Sequence, residues 1–129
     1  MATITISDES TLGEKRSWSL DLLEETITLA ELIRRRIYQE VTEYNAKQVG
    51  AFYGLVQPTP AERALNGAQP HAPRKLDWEA QYAAAEQAFA RRGFIVLVDD
   101  RQVSDLAAPV RLAAGSEVTF LKLVPLVGG

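Results

Sequence analysis

Apolar and polar residues alternate along residues 2–7, where β-branched side chains dominate, and this predicts a strand with Ile4 and Ile6 turned inward. A second alternating run over residues 16–22 puts Trp18, Leu20 and Leu22 on one face. The stretch between them, residues 8–15, holds Ser, Thr and Gly and suits a turn, so the two runs read as a β-hairpin. The period then changes. Leu29, Leu32, Ile33, Ile37, Val41 and Tyr44 recur in steps of three and four, which predicts a helix with one buried stripe ending near residues 47–50. Thr28, Leu29, Ala30 and Glu31 form a capping box at its start: the Thr28 hydroxyl can accept from the Glu31 amide, and the Glu31 carboxylate from the Thr28 amide.

Residues 50–73 break the pattern with four prolines (58, 60, 70 and 73) and three glycines (50, 54 and 67). Within them Thr59, Pro60 and Glu62 predict the start of a short helix that reaches Leu65 and stops at Asn66 and Gly67. Asp77 can cap a second long helix, in which Trp78, Tyr82, Ala85 and Phe89 follow at helical spacing as a core-facing stripe and Gly93 supplies the stop. The apolar run 94–98 fits a central strand buried on both faces. Residues 99–102 make a turn, Val103 begins a short return strand, and residues 109–116 carry loop signals. Residues 118–123 form a last strand, and Pro125, having no amide hydrogen, limits pairing beyond it. Residues 125–129 then read as a flexible tail.

Composition narrows the chemistry. A length of 129 residues, 47% hydrophobic and 24% charged, is that of a single globular domain with a core. The net charge of -3 lacks the positive excess of a phosphate-binding protein, which argues against nucleic acid as a partner. The basic run Arg34, Arg35 and Arg36 lies among Glu24, Glu25, Glu31, Glu40 and Glu43 and reads as a solvated mixed-charge helix face. With no cysteine there is no disulfide, thiolate metal site or cysteine nucleophile, which fits a reducing compartment. His71, between Pro70 and Pro73, is the single histidine and reads as a loop residue, so neither a catalytic zinc site nor a triad is expected. No phosphate loop is present either, and no enzyme activity or bound cofactor is expected. The first residues lack the blocks of a signal peptide and no stretch approaches the ~20 apolar residues of a membrane span, so a cytoplasmic protein with no membrane partner is expected.

The order of strand, strand, helix, helical insertion, strand, short strand and strand resembles the β-grasp of ubiquitin and of the prokaryotic sulfur carriers. Residues 95–106 are similar to the family's strand, turn and short strand after the helix, and residues 116–129 to its last strand and diglycine tail. The likeness covers roughly residues 2–48 and 93–129, with 51–92 as an insertion between the helix and the third strand. It implies an α+β fold, a mixed sheet packed on one main helix, with the first and last strands side by side in the centre. Ubiquitin carries arginines just before its glycines. Here Pro125 and Val127 stand there, closer to the apolar tail of the sulfur carriers.

The resemblance also implies a role. A carboxylate is a poor electrophile, so in the family a separate activating enzyme adenylates the terminal carboxyl with ATP, and the chain is substrate and carrier. Gly129 and Gly128 are the expected conjugation and activation residues, because glycine can thread a narrow channel and take backbone angles that other residues avoid. Pro125, Leu126 and Val127 are the expected recognition segment. Clamping such a tail costs ~1–2 kcal/mol per residue in backbone entropy. Burial of Leu126 and Val127 on a partner offsets this by ~1.5–3 kcal/mol for each side chain fully buried. Three roles stay open. The first is a bacterial-type protein modifier joined through Gly129 to target amines, served by an activating enzyme with a conjugating enzyme and an isopeptidase. The second is a sulfur carrier whose Gly129 becomes a thiocarboxylate for a sulfur-accepting enzyme. The third is a β-grasp binding module with a passive tail. The long insertion favours the modifier and the apolar tail favours the sulfur carrier. The Ala- and Arg-rich composition points to a bacterial source. Lys15, Lys47, Lys75 and Lys122 are the only lysines and read as solvated charges.

Overall fold

The computed structural model describes residues 2–47, 54–55 and 76–123. The chain opens with β1 (Ala2–Ser10) and β2 (Lys15–Leu22), paired antiparallel so that Ile4 faces Leu20 and Ile6 faces Trp18. The hairpin runs further than the sequence predicts: Asp8 pairs with Arg16 and Glu9 with Lys15. The turn shrinks to residues 11–14, where Gly13 takes φ 91° and the Ser10 hydroxyl accepts the Leu12 amide hydrogen at 3.2 Å.

β3 (Thr26–Thr28) leads directly into α1 (Leu29–Lys47). The first amides of α1 are satisfied by residues far along the chain: Leu29 donates to Ala108 O at 3.0 Å and Ala30 to Leu106 O at 2.9 Å. Half of the expected capping box forms. Thr28 Oγ1 accepts the Glu31 amide hydrogen at 3.1 Å, while the Glu31 carboxylate turns to Arg34 and Arg35. α2 (Trp78–Ala90) starts as predicted, with Asp77 accepting the Glu79 amide hydrogen at 3.0 Å. Its buried line is Gln81, Ala85 and Ala88, a polar residue and two alanines. Trp78, Tyr82 and Phe89, expected to form the core stripe, are half-buried beside it. The helix stop also differs. Arg92, not Gly93, takes the left-handed conformation at φ 60°, and the Gly93 amide reaches back to Ala88 O at 2.8 Å.

β4 (Phe94–Val98) and β5 (Arg101–Val103) form a tight hairpin across Asp99 and Asp100, at φ 48° and 70°. Successive positive φ angles give the turn whose twist matches a two-residue hairpin, and Asp tolerates them. β5 therefore begins at Arg101, two residues earlier than predicted. β4 buries Phe94, Val96 and Val98, while Ile95 and Leu97 are half-buried on the opposite face, so it is not sealed on both sides. β6 (Pro109–Arg111) pairs with β3, a two-stranded ladder inside the stretch read as loop. β7 (Glu117–Lys122) ends the described chain but for Leu123.

Among the described residues the main sheet has five strands in the order β2-β1-β7-β4-β5. β1 and β7 run parallel and the other neighbours antiparallel, so the sheet is mixed and the fold α+β. Ile4, Ile6, Val118, Phe120 and Val96 face α1 and are completely buried, as are Leu29 and Leu32 of the helix. Each such side chain contributes ~1.5–3 kcal/mol on leaving water. Among the described residues, no helix is long and apolar enough to cross a membrane.

Candidate functional site

β7, the middle strand, brings the last described residue to one end of the sheet. Leu123 donates its amide hydrogen to Gly93 O at 2.9 Å, and its carbonyl accepts from Thr11 Oγ1 at 3.3 Å. The Thr11 amide also donates to Lys122 O at 3.2 Å. The exit of β7 is thus held by the start of β4 on one side and by the β1–β2 turn on the other. The expected site residues Pro125, Leu126, Val127, Gly128 and Gly129 lie outside the described residues, as does the predicted short helix at 59–65.

Directly behind this exit lies a feature that corrects the reading of the basic run. Arg36 is completely buried. Its guanidinium makes two bonds to Asp8, at 2.5 and 2.9 Å, and two to Glu40, one of them at 2.8 Å. It lies between aromatic faces, 4.7 Å from the Trp18 ring centroid and 4.5 Å from that of Phe120. Only Arg34 and Arg35 belong to the partly solvated face. The reason is helical spacing: residue 36 sits three and four positions from Leu32, Ile33 and Glu40, inside the buried stripe. Asp8 is drawn in by the parity of its strand, since it shares a face with Ile4 and Ile6.

Glu40 also accepts the Leu55 amide hydrogen at 3.1 Å, and Lys122 reaches Gly54 O at 3.5 Å and Asp8 at 3.9 Å. The cluster therefore pins residues 54–55 to both α1 and the last strand. Farther along α1, Asn45 clasps Leu76, accepting its amide hydrogen at 2.8 Å and donating to its carbonyl at 2.9 Å. Burial alone pulls the Arg36 guanidinium toward neutrality, and the charges of Glu40 and Asp8 more than reverse this, raising its pKa. Burial pushes the Glu40 carboxyl up, with Arg36 opposing and Asp8 adding to the rise.

Lys122 stands apart from the solvated charge read from the sequence. Its side chain is 23% exposed, whereas Lys15 lies at an exposed strand position. Burial lowers its pKa first, Asp8 works against the shift, and Arg36 adds to it. Among the described residues no group of three or more His, Cys, Asp or Glu side chains is arranged to hold a metal ion. Sequence reasoning missed Asp8, Arg36, Glu40 and Lys122 as a group. The signal available was positional: charged residues on the core-facing registers of three elements, Asp8 on β1, Arg36 and Glu40 on α1 and Lys122 on β7. Comparison with protein-family models, with curated proteins and with solved structures finds no match for this chain.

Proposed function

We propose that this chain is a ubiquitin-like β-grasp modifier, with residues 51–92 as its insertion, activated at the Gly129 carboxylate by an ATP-dependent enzyme and joined to target amines. The observation that carries the reading is topological. The strand order β2-β1-β7-β4-β5, with β1 and β7 parallel, supports the element order that the resemblance implies. It makes the tail-bearing strand the middle of the sheet, clamped on both flanks up to Leu123. A rigid platform leading to Gly128 and Gly129 suits delivery of a carboxyl group into another protein's active site. The chemistry belongs to that partner. The Gly129 carboxylate attacks the α-phosphate of ATP and displaces pyrophosphate, a thiol displaces AMP, and a target amine displaces the thiol. A conjugating enzyme and an isopeptidase complete the set of partners.

A second reading has its own support. The apolar Pro125, Leu126 and Val127 suit a sulfur carrier, in which the activated acyl group becomes a thiocarboxylate. The two part in the cell. An N-terminally tagged chain expressed in its native host forms heavier conjugates that resist reduction and vanish when Gly129 is deleted. Absence of conjugates, with a sulfur-for-oxygen mass change on Gly129, selects the sulfur carrier instead. A tail that is free in all conditions, and whose loss is silent, leaves a β-grasp binding module.

A further inference from the structure

Lys122 lines a cavity of about 130 Å³ at the tail end of the sheet, together with Asp8, Ser10 and Gly54. Glu9, Glu14, Lys15 and Arg16 complete its wall, and the last three occupy exposed positions at its rim. Two oxygens direct the amine: Gly54 O at 3.5 Å and the Asp8 carboxylate at 3.9 Å. Asp8 is itself fixed by its two bonds to Arg36, so the direction is set by the core and not by a mobile surface chain. We propose that Lys122 is an acyl-acceptor lysine, which takes a small acyl group at Nζ from an activated donor such as a thioester or an acyl phosphate.

The charges around Nζ favour this. Burial, Arg36 from α1 and Arg16 from β2 depress the ammonium, while Asp8 from β1 and Glu40 from α1 resist. The net shift is downward, which enlarges the share of free amine near neutral pH. A lysine desolvated beside other cations is a recognised route to a nucleophilic amine. The step balances without a further reactant. The ammonium gives one proton to water, and the nitrogen lone pair attacks the donor's carbonyl carbon. An N–C bond forms, the C–S or C–O bond breaks, and the departing thiolate or phosphate is matched by the second proton lost from nitrogen. Asp8 and Gly54 O are positioning groups. The inference is independent of activation at Gly129, because here the acyl group arrives at Nζ.

The test treats the full chain with acetyl phosphate and, separately, with the acetyl thioester of N-acetylcysteamine. Occupancy of Lys15, Lys47, Lys75 and Lys122 is followed by peptide mass spectrometry. At about pH 7 Lys122 is expected to react at least about threefold faster than each other lysine, a lead that shrinks toward pH 10 as all four deprotonate. A rate at Lys122 equal to or below the others at pH 7 overturns the proposal. Asp8→Asn separates positioning from simple electrostatics: it removes an anion that holds the proton, so it lowers the Lys122 pKa. Slower acylation despite that lower pKa supports positioning, and faster acylation refutes it. Should that variant fail to fold, the Nζ titration of the unaltered chain by NMR decides, since a pKa at or above the ordinary ~10.4 sinks the idea.

Discussion

Arg34 and Arg36 lie two residues apart on one helix, and the fold treats them in opposite ways. Arg34 is 41% exposed at its side chain, pairs with Glu31 one turn away and rests 5.4 Å from the Trp78 ring. Arg36 is 0% exposed, bridges two elements and carries two carboxylates between two aromatic rings. Arg35 behaves like Arg34, held by Glu24 and Glu31 at the surface. The difference is one of solvent. A surface ion pair gains little because water already stabilises both charges. A buried pair has lost that water, so removing one partner strands the other. The same residue type on the same helix is thus nearly neutral at one position and structural at another.

The largest effect is expected of Arg36→Ala, which leaves Asp8 and Glu40 buried without their cation. Urea denaturation should show a loss of about 3–5 kcal/mol. Glu40→Gln is milder, because the amide oxygen can still accept from Leu55 while the charge is gone. A loss of about 1–3 kcal/mol is expected, with faster hydrogen exchange at the Leu55 amide. Thr28→Ala removes the cap at the start of the same helix and should cost about 1 kcal/mol, read from the same denaturation curve.

Two smaller effects lie on the exposed side. The guanidinium of Arg34, joined by Arg35, overcomes a modest burial penalty and holds the Glu31 carboxyl at about 2. A depressed folded pKa gives stability that is present above the unfolded value near 4.5 and lost as the pH falls through about 2. Because the pair is largely solvated, the effect should stay below ~1 kcal/mol. An acid titration of the native chain against Glu31→Gln should show the gap closing between those two pH values. Last, Arg34→Ala should lower the thermal midpoint by no more than about 2–4 °C, in line with a surface pair that contributes less than ~1 kcal/mol. A loss at Arg34 to rival that at Arg36 would overturn the comparison.

Much of the fold was legible in periodicity. The stripe from Leu29 to Val41 is buried throughout, the alternation of β1 and β2 places Ile4, Ile6, Leu20 and Leu22 in the core, and Asp77 caps α2. The three-residue ladder of β3 and β6 was not legible, since so few residues show no period. Nor was the left-handed Arg92, because glycine at the next position carried the same local signal. The buried cluster was half-visible. Arg36 and Glu40 fall on the helical stripe and Asp8 on the core parity of β1, but composition placed charge outside. Only the tertiary meeting of β1, α1 and β7 makes burial of these charges affordable. Lys122 needed that meeting too, since its neighbours Asp8 and Gly54 are far from it in sequence.

Activation at Gly129 is read out by intact-mass and peptide mass spectrometry of the chain purified from its native host, neighbouring genes in place. A modifier leaves a Gly129 isopeptide remnant on lysines of other proteins. An unmodified Gly129 carboxylate under every growth condition, with deletion of Gly129 silent in the cell, would contradict that role.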